Sequence, residues 1–376
     1  MSIPFIDLKT QYHKNKSDID DAIHRVLDHG QYIMGPEVKE LEEKLADYIG
    51  VKYALSCSSG TDALILPLMA KGISQGDIVF TTPFTFFASA ESITLAGATP
   101  VFVDINPDTY NLCPDDLEKK IEATLSSGKG TPKAIMPVDL FGLPADFDKI
   151  NNIAGKYDLF VIEDSAQSFG APYHDQKACG LGDVGATSFY PAKPLGCYGD
   201  GGAVFTNDQG LYEEMISVRV HGQGVTGDKY DNVRIGLNAR MDTIQAAVLI
   251  EKLKNYDDEI LLRNQVASLY SSHLCAEVKT PTTPDGLGSV WAQYSIQVEN
   301  RDKLKADLGE KGIPTATFYP TPIHLSAAYA HLGYKEGDFP NSEAISKRII
   351  SLPMHPFLEE QQILEITDLV NSSVNG

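Results

Sequence analysis

Positive charge is what this 376-residue chain most lacks, with 31 lysines and arginines against 51 aspartates and glutamates. A net charge of −20 excludes the basic footprint that nucleic acid or an anionic membrane surface requires of a partner. Cysteine is sparse as well. Cys57, Cys113, Cys179, Cys197 and Cys275 are odd in number, scattered and without C-x-x-C spacing, which argues against a disulfide framework and a zinc site, so no metal is expected. Long apolar runs are missing too. The opening MSIPFIDLKTQYHKNK has no signal-peptide core, and no stretch approaches the roughly 20 apolar residues of a membrane span. A soluble, cytoplasmic protein without a membrane partner is expected.

What is present is apolar content of 43%, enough for more than one core, since single cores stop growing at about 250–300 residues. Ser17 is placed to cap a helix with apolar positions Ile19, Ala22, Ile23, Val26 and Leu27. Pro36 opens another, striped by Val38, Leu41, Leu45 and Tyr48, and Gly50 can end it in a left-handed conformation. From there to about residue 206, the runs YALSCSSG, IVFTTP, TPVFVDI, KAIMPVDLFG, LFVIED, ATSFY and GGAVFTND alternate with helical stretches. Such strands predict an α/β fold whose mainly parallel sheet is covered on both faces. The helix TIQAAVLIEKL after Asp242 and a helical pattern from about Glu259 to Leu274 lead out of this unit. VWAQYSIQV, as a strand, and RDKLKADLGEKG, as a helix, begin a smaller α+β unit. The expected division is a large domain over residues 1–255 and a small one over residues 256–376.

Ligands of open α/β sheets lie at the carboxyl ends of strands, against helix N-termini. Three segments meet that condition. In CSSGTDAL the backbone N–H groups of Gly60 and Thr61 can hold a phosphate, or the segment is an ordinary capped turn. Asp164 ends the apolar strand LFVIE and needs a partner: a protonated pyridine nitrogen, or the backbone of a helix that it caps with Gln167 three residues on. Taken alone, the cap has the stronger claim. Lys193, between Pro191 and Pro194 in SFYPAKPLGCYGDGG, belongs to neither helix nor central strand. It is an exposed loop lysine or an amine whose protonation the site suppresses, and Ser188 five residues earlier can reach a phosphate. A lysine that forms a Schiff base, with a carboxylate that keeps a pyridine ring protonated, is what pyridoxal phosphate (PLP) chemistry requires.

Two further segments carry local signals. GLGDVG, Gly180 to Gly185, matches the dinucleotide pattern G-x-G-x-x-G but follows YHDQKAC rather than an apolar strand, so it reads as a turn. The stretch from Arg219 to Arg240 carries Arg219, Lys229, Arg234, Arg240 and His221 against Asp228 and Asp231, which makes it a candidate anion site or a solvated loop.

Together SSGTDAL, PFTFFASAE, VIEDSAQSFG, SFYPAKPLGCYGDGG, NARMD and FYPTPIH resemble the DegT/StrS-type sugar-nucleotide aminotransferases, within the PLP enzymes of fold-type I, over essentially the whole chain. The likeness is strongest to bacterial enzymes that aminate C3 of UDP-2-acetamido-2-deoxy-3-oxo-glucuronate. It implies a catalytic Lys193, Asp164 on the pyridine nitrogen, Gln167 on the phenolic oxygen, Phe86 on the ring face, and Gly60, Thr61 and Ser188 on the phosphate. It also implies that Asn238 reaches the phosphate of the neighbouring subunit in a homodimer with shared active sites, and that Arg240, Tyr319 and His324 contact the nucleotide sugar. L-Glutamate would be the donor and leave as 2-oxoglutarate, in bacterial surface polysaccharide synthesis. Alternatives are amination at C4 of a UDP- or dTDP-4-keto sugar and a regulatory protein that keeps the PLP fold without turnover. Dehydratases of the family replace the lysine with histidine, so Lys193 argues against that activity. Close relatives often have His where this chain has Phe318, a difference that bears on the sugar rather than on the reaction type.

Overall fold

The computed structural model describes residues 3–224 and 230–376. Helices α1 (Leu8–Lys14), α2 (Lys16–His29) and α3 (Pro36–Ile49) come first. Ser17 does not cap α2. Asn15 is the sole residue between α1 and α2, so the second helix is already under way at Lys16. Its buried face is Ile19, Ala22 and Val26, narrower than expected, with Leu27 exposed. α3 begins at Pro36 and ends at Gly50, whose φ of +86° is left-handed, as the sequence predicts.

The apolar runs become β1 (Tyr53–Cys57), β2 (Asp77–Thr81), β3 (Thr99–Phe102), β4 (Thr131–Ile135) and β5 (Phe160–Asp164). Between them lie α4 (Gly60–Ala70), α5 (Ala88–Leu95), α6 (Pro114–Ser127) and α7 (Phe147–Tyr157). A short hairpin, β6 (Pro172–Tyr173) and β7 (Gln176–Lys177), precedes β8 (Val184–Ser188), β9 (Gly202–Thr206) and α8 (Gln209–Arg219). The central sheet has seven strands in the order β1-β9-β8-β5-β4-β2-β3. Pairing is parallel from β8 through β3, and β9 runs antiparallel to both β8 and β1. β1 therefore points the same way as β8, and the carboxyl ends of β1, β5 and β8 share one edge.

Alternation along each strand feeds two faces. Val79 and Ile162 pack with α4, α5 and α8 on one face. Ile78, Phe80 and Val161 meet α6 and α7 on the other, where α3 and α9 (Thr243–Leu253) also cover β1 and β9. GLGDVG forms bends that run into β8. A Cβ on Gly185 would meet the Cys179 carbonyl oxygen at 2.2 Å, so this glycine serves close packing of the hairpin on the strand.

Helix α10 (Tyr256–His273) starts three residues before the predicted Glu259. Tyr256 lies in the core around Phe169, whereas Val266, Ala267 and Tyr270 lie in another. That second core is built on antiparallel β10 (Tyr294–Gln297) and β11 (Ile349–Leu352) with α11 (Arg301–Glu310) and α13 (Glu360–Asn375) around them, while α12 (Pro340–Arg348) places Ile345 in a cluster with Phe84 and Ile105. Ile3 joins it from the other end of the chain, and the Met354 amide donates to Phe5 O at 3.1 Å.

Candidate active site

β8 ends at Ser188 and β9 starts at Gly202 on the same sheet edge, so residues 189–201 form a loop across that edge. Lys193 stands within it, its amide donating to Tyr190 O at 2.9 Å. Burial pulls its amine down to about 8, with the Asp164 carboxylate pulling the other way. Asp164, the last residue of β5, is itself pushed up by burial. Ser89, the Ala166 amide and Lys193 oppose that shift. Neither group carries its charge comfortably alone.

Asp164 caps no helix. Its Oδ1 accepts from Ala166 N at 3.2 Å and its Oδ2 from Ser89 Oγ at 2.6 Å, while its backbone is bonded to Pro137 O and Asp139 N. Gln167 makes no capping box either. Its Oε1 accepts from the Phe141 amide at 2.8 Å, and its Nε2 donates to the Tyr319 hydroxyl at 3.1 Å. Burial pushes the Tyr319 phenol up. Ser89 went unnoticed in the sequence, although it follows Phe86 by three residues in PFTFFASAE and so stands one helical turn on, at the start of α5.

Beside this group, Ser59 caps α4 and accepts from Asp62 N at 3.1 Å, which leaves the amides of Gly60 and Thr61 at the positive end of the helix. Gly60 lies so close to β8 that a Cβ there would meet Ser188 Cβ at 2.5 Å. The first turn of α4 and the end of β8 are thus packed side by side. Phe86 leaves 60% of its surface exposed, its ring centroid 6.5 Å from that of Tyr319. Phe318 is half-buried against Phe5.

Asn238 and Arg240 line an open cleft with Ser58, Ser59 and Asp200, and Arg240 donates to Asn238 Oδ1. Arg240 Nε is buried without a hydrogen-bond partner among the described residues. Two other cations of the basic stretch are engaged elsewhere. Arg219 is buried on Glu42 at 2.6 Å and on Ser56 O at 2.8 Å, and Arg234 pairs with Glu214. Lys229 and Asp228 lie outside the described residues. His324 is not brought to the site. It is buried against Phe339 and paired with Glu343 at 3.1 Å; burial pulls its imidazole down against that carboxylate.

A half-buried lysine and a buried carboxylate in electrostatic reach of each other, beside the N-terminus of α4 at the carboxyl edge of a mainly parallel sheet, fit a lysine-centred α/β transferase. The chain belongs to the DegT/DnrJ/EryC1/StrS aminotransferase family, whose pattern matches residues 13–371. It is 48% identical over 364 residues to the UDP-2-acetamido-2-deoxy-3-oxo-D-glucuronate aminotransferase of Pseudomonas aeruginosa, covering 96% of this chain and 97% of that one. A crystal structure of a DegT DnrJ EryC1 StrS aminotransferase from Brucella abortus superposes with a TM-score of 0.96 at 50% identity, covering 100% of both chains. NtdA of Bacillus subtilis, crystallised with bound cofactor PMP, superposes with a TM-score of 0.89 at 28% identity, over 99% of this chain and 85% of that one. Among the described residues, no helix is long and apolar enough to cross a membrane.

Proposed function

We propose that this protein is a PLP-dependent transaminase that moves an amino group from L-glutamate to C3 of UDP-2-acetamido-2-deoxy-3-oxo-glucuronate, releasing 2-oxoglutarate. The observation that carries the reading is Lys193: an amine whose protonation burial suppresses, in reach of the Asp164 carboxylate, in a chain of this family. The residues fit the cofactor. Gly60, where no Cβ has room, and Ser188 suit a phosphate, and the exposed face of Phe86 suits an aromatic ring.

PLP, when bound, supplies an electron-poor ring that accepts and returns the amino group. Asp164, oriented by Ser89, holds a proton on the ring nitrogen, which makes the buried carboxylate's charge a paired one. Gln167, fixed by the Phe141 amide and Tyr319, presents its side-chain amide to the phenolic oxygen. Lys193 Nζ would hold the cofactor's aldehyde carbon, and as a neutral amine it would move a proton at the substrate carbon. The amides of Gly60 and Thr61 and the Ser188 hydroxyl bind the phosphate. Arg240, which lines the open cleft, binds the hexuronate carboxylate as a planar fork.

The active unit is a homodimer in which Asn238 reaches the neighbouring phosphate, and the exposed apolar Ile33 on this cleft supports it. We divide the chain near the start of α10, into units 1–255 and 256–376; the change of surroundings along that helix supports it, with Tyr256 in the first core and Val266 in the second. It works in the cytoplasm, where nucleotide sugars for surface polysaccharide are made. The test is incubation with glutamate and a panel of 3-keto and 4-keto UDP- and dTDP-sugars, with products identified by mass and NMR. Release of 2-oxoglutarate with a C3-aminated uronate supports the reading; no amination of any of them overturns it.

A further inference from the structure

Lys252, on α9, takes no part in this chemistry, yet it is a lysine only 4% exposed, and its ammonium is turned into the loop that carries Lys193. Nζ donates to the carbonyl of Gly196, three residues beyond Lys193. Two turns earlier on the same face of α9, Gln245 Oε1 accepts from the Tyr198 amide at 2.8 Å. Next to these anchors the loop folds back tightly: a Cβ on Gly196 would meet Tyr190 O at 2.6 Å and Pro191 O at 2.7 Å. The Cys197 amide closes it on Phe189 O at 2.8 Å.

A cation buried this far is costly unless its surroundings and its partner require it. Burial pulls Lys252 down to about 8. Glu259 from α10 and Cys197 from the loop favour the charged form, and Arg263 from α10 opposes it. The Tyr198 ring lies 5.3 Å from Nζ. Glu259 is held in turn by Gln11 Nε2 of α1, at 2.8 and 3.1 Å to its two oxygens. A buried carbonyl needs a donor, and no apolar side chain at this position could supply one.

We propose that Lys252 is a positioning residue for Lys193: by holding the Gly196 carbonyl from beneath, its ammonium fixes the loop in the arrangement that keeps the Lys193 amine within reach of Asp164. The proposal rests on the reading of Lys193 as the reactive amine. Its force is geometric, since displacement of a reacting group by about 1 Å can cost about 100-fold in rate.

Lys252→Met keeps the stem and removes the donor, whereas Lys252→Gln keeps a neutral donor. On the purified full chain, amide hydrogen exchange of residues 190–201 is measured, and with PLP the pH midpoint of the visible absorbance, kcat and KM. In Lys252→Met, exchange in that loop and the loss in kcat are each expected at about tenfold, with the KM for glutamate held and the midpoint displaced. Lys252→Gln should recover most of the loss. Unchanged loop exchange in Lys252→Met overturns the proposal, as does a rise spread evenly through α9 and α10. If Lys252→Met does not fold, Lys252→Gln decides by the same criteria, with an intermediate rise confined to the loop in support. Failure of the proposed function would look different. Borohydride would then fail to fix PLP to Lys193 in the unsubstituted protein, while the exchange comparison still gave its own answer.

Discussion

Ser89 gives its one hydroxyl proton to Asp164 Oδ2 at 2.6 Å, and the Thr85 hydroxyl, 3.0 Å from Ser89, therefore donates to Ser89 in turn. The relay biases Asp164 toward its anion, against a burial that favours the neutral acid. Ser89→Ala should weaken PLP binding by about 1.5–3 kcal/mol, the range for a hydrogen bond to a charged group. Equilibrium titration of the apoprotein with PLP checks this; affinity equal to that of the unsubstituted protein would show the hydroxyl to be idle.

Capture of PLP by the apoprotein should speed up as pH rises through about 8, where the Lys193 amine becomes neutral. Stability carries the matching sign. The folded state holds the proton less tightly than the unfolded one, so between about 8 and the ordinary lysine value of 10.5 the unfolded chain binds more protons and stability rises with pH. Lys193→Met should therefore raise the Tm of the apoprotein at pH 7, and the gain should shrink as the pH approaches about 10. A gain that is constant with pH would contradict the assignment.

Gly60→Ala drives a methyl to within 2.5 Å of Ser188 Cβ. Overpacking of this kind costs about 1–3 kcal/mol, read as a lower Tm together with weaker PLP binding. Gly60→Ala with Ser188→Gly should recover the Tm, because the clashing atom is gone, but not the affinity, because the phosphate has lost a hydroxyl. Recovery of both would remove Ser188 from the phosphate site.

Arg240→Lys should raise the KM for the 3-keto uronate by about tenfold, about 1.4 kcal/mol, and leave a 3-keto sugar with a neutral C6 nearly unaffected. A lysine keeps the charge but loses the fork. Steady-state kinetics on both sugars decides it, and an equal loss on both would place Arg240 on the diphosphate instead.

The strands were legible because a strand buried on both faces has to be apolar along its length, and Val184–Ser188 and Gly202–Thr206 are buried at every position. Pro36 and Gly50 are local signals with local causes, so the bounds of α3 follow from them. Lys193 stands outside regular structure for the same kind of reason, with a proline on one side and glycines beyond. Pairings across the chain were not legible. Arg219 meets Glu42 across 177 positions, and nothing near either residue announces it. His324 looks like a polar loop residue until Glu343 and Phe339 bury it. The reversed direction of β9 was hidden as well, since an apolar run reads the same whichever way the strand points.

Ile3 and Val370 share the second core, although almost the whole chain lies between them. During synthesis the central sheet can assemble once α9 has emerged, but the core that holds Ile3 waits for the last helix, because domains fold as units from the N-terminal side. The segment around Ile3 therefore reaches its buried state only when the elements that carry Val266 and Val370 are present. A bulky fusion ahead of Ile3 would intrude on the last step of folding rather than on the first.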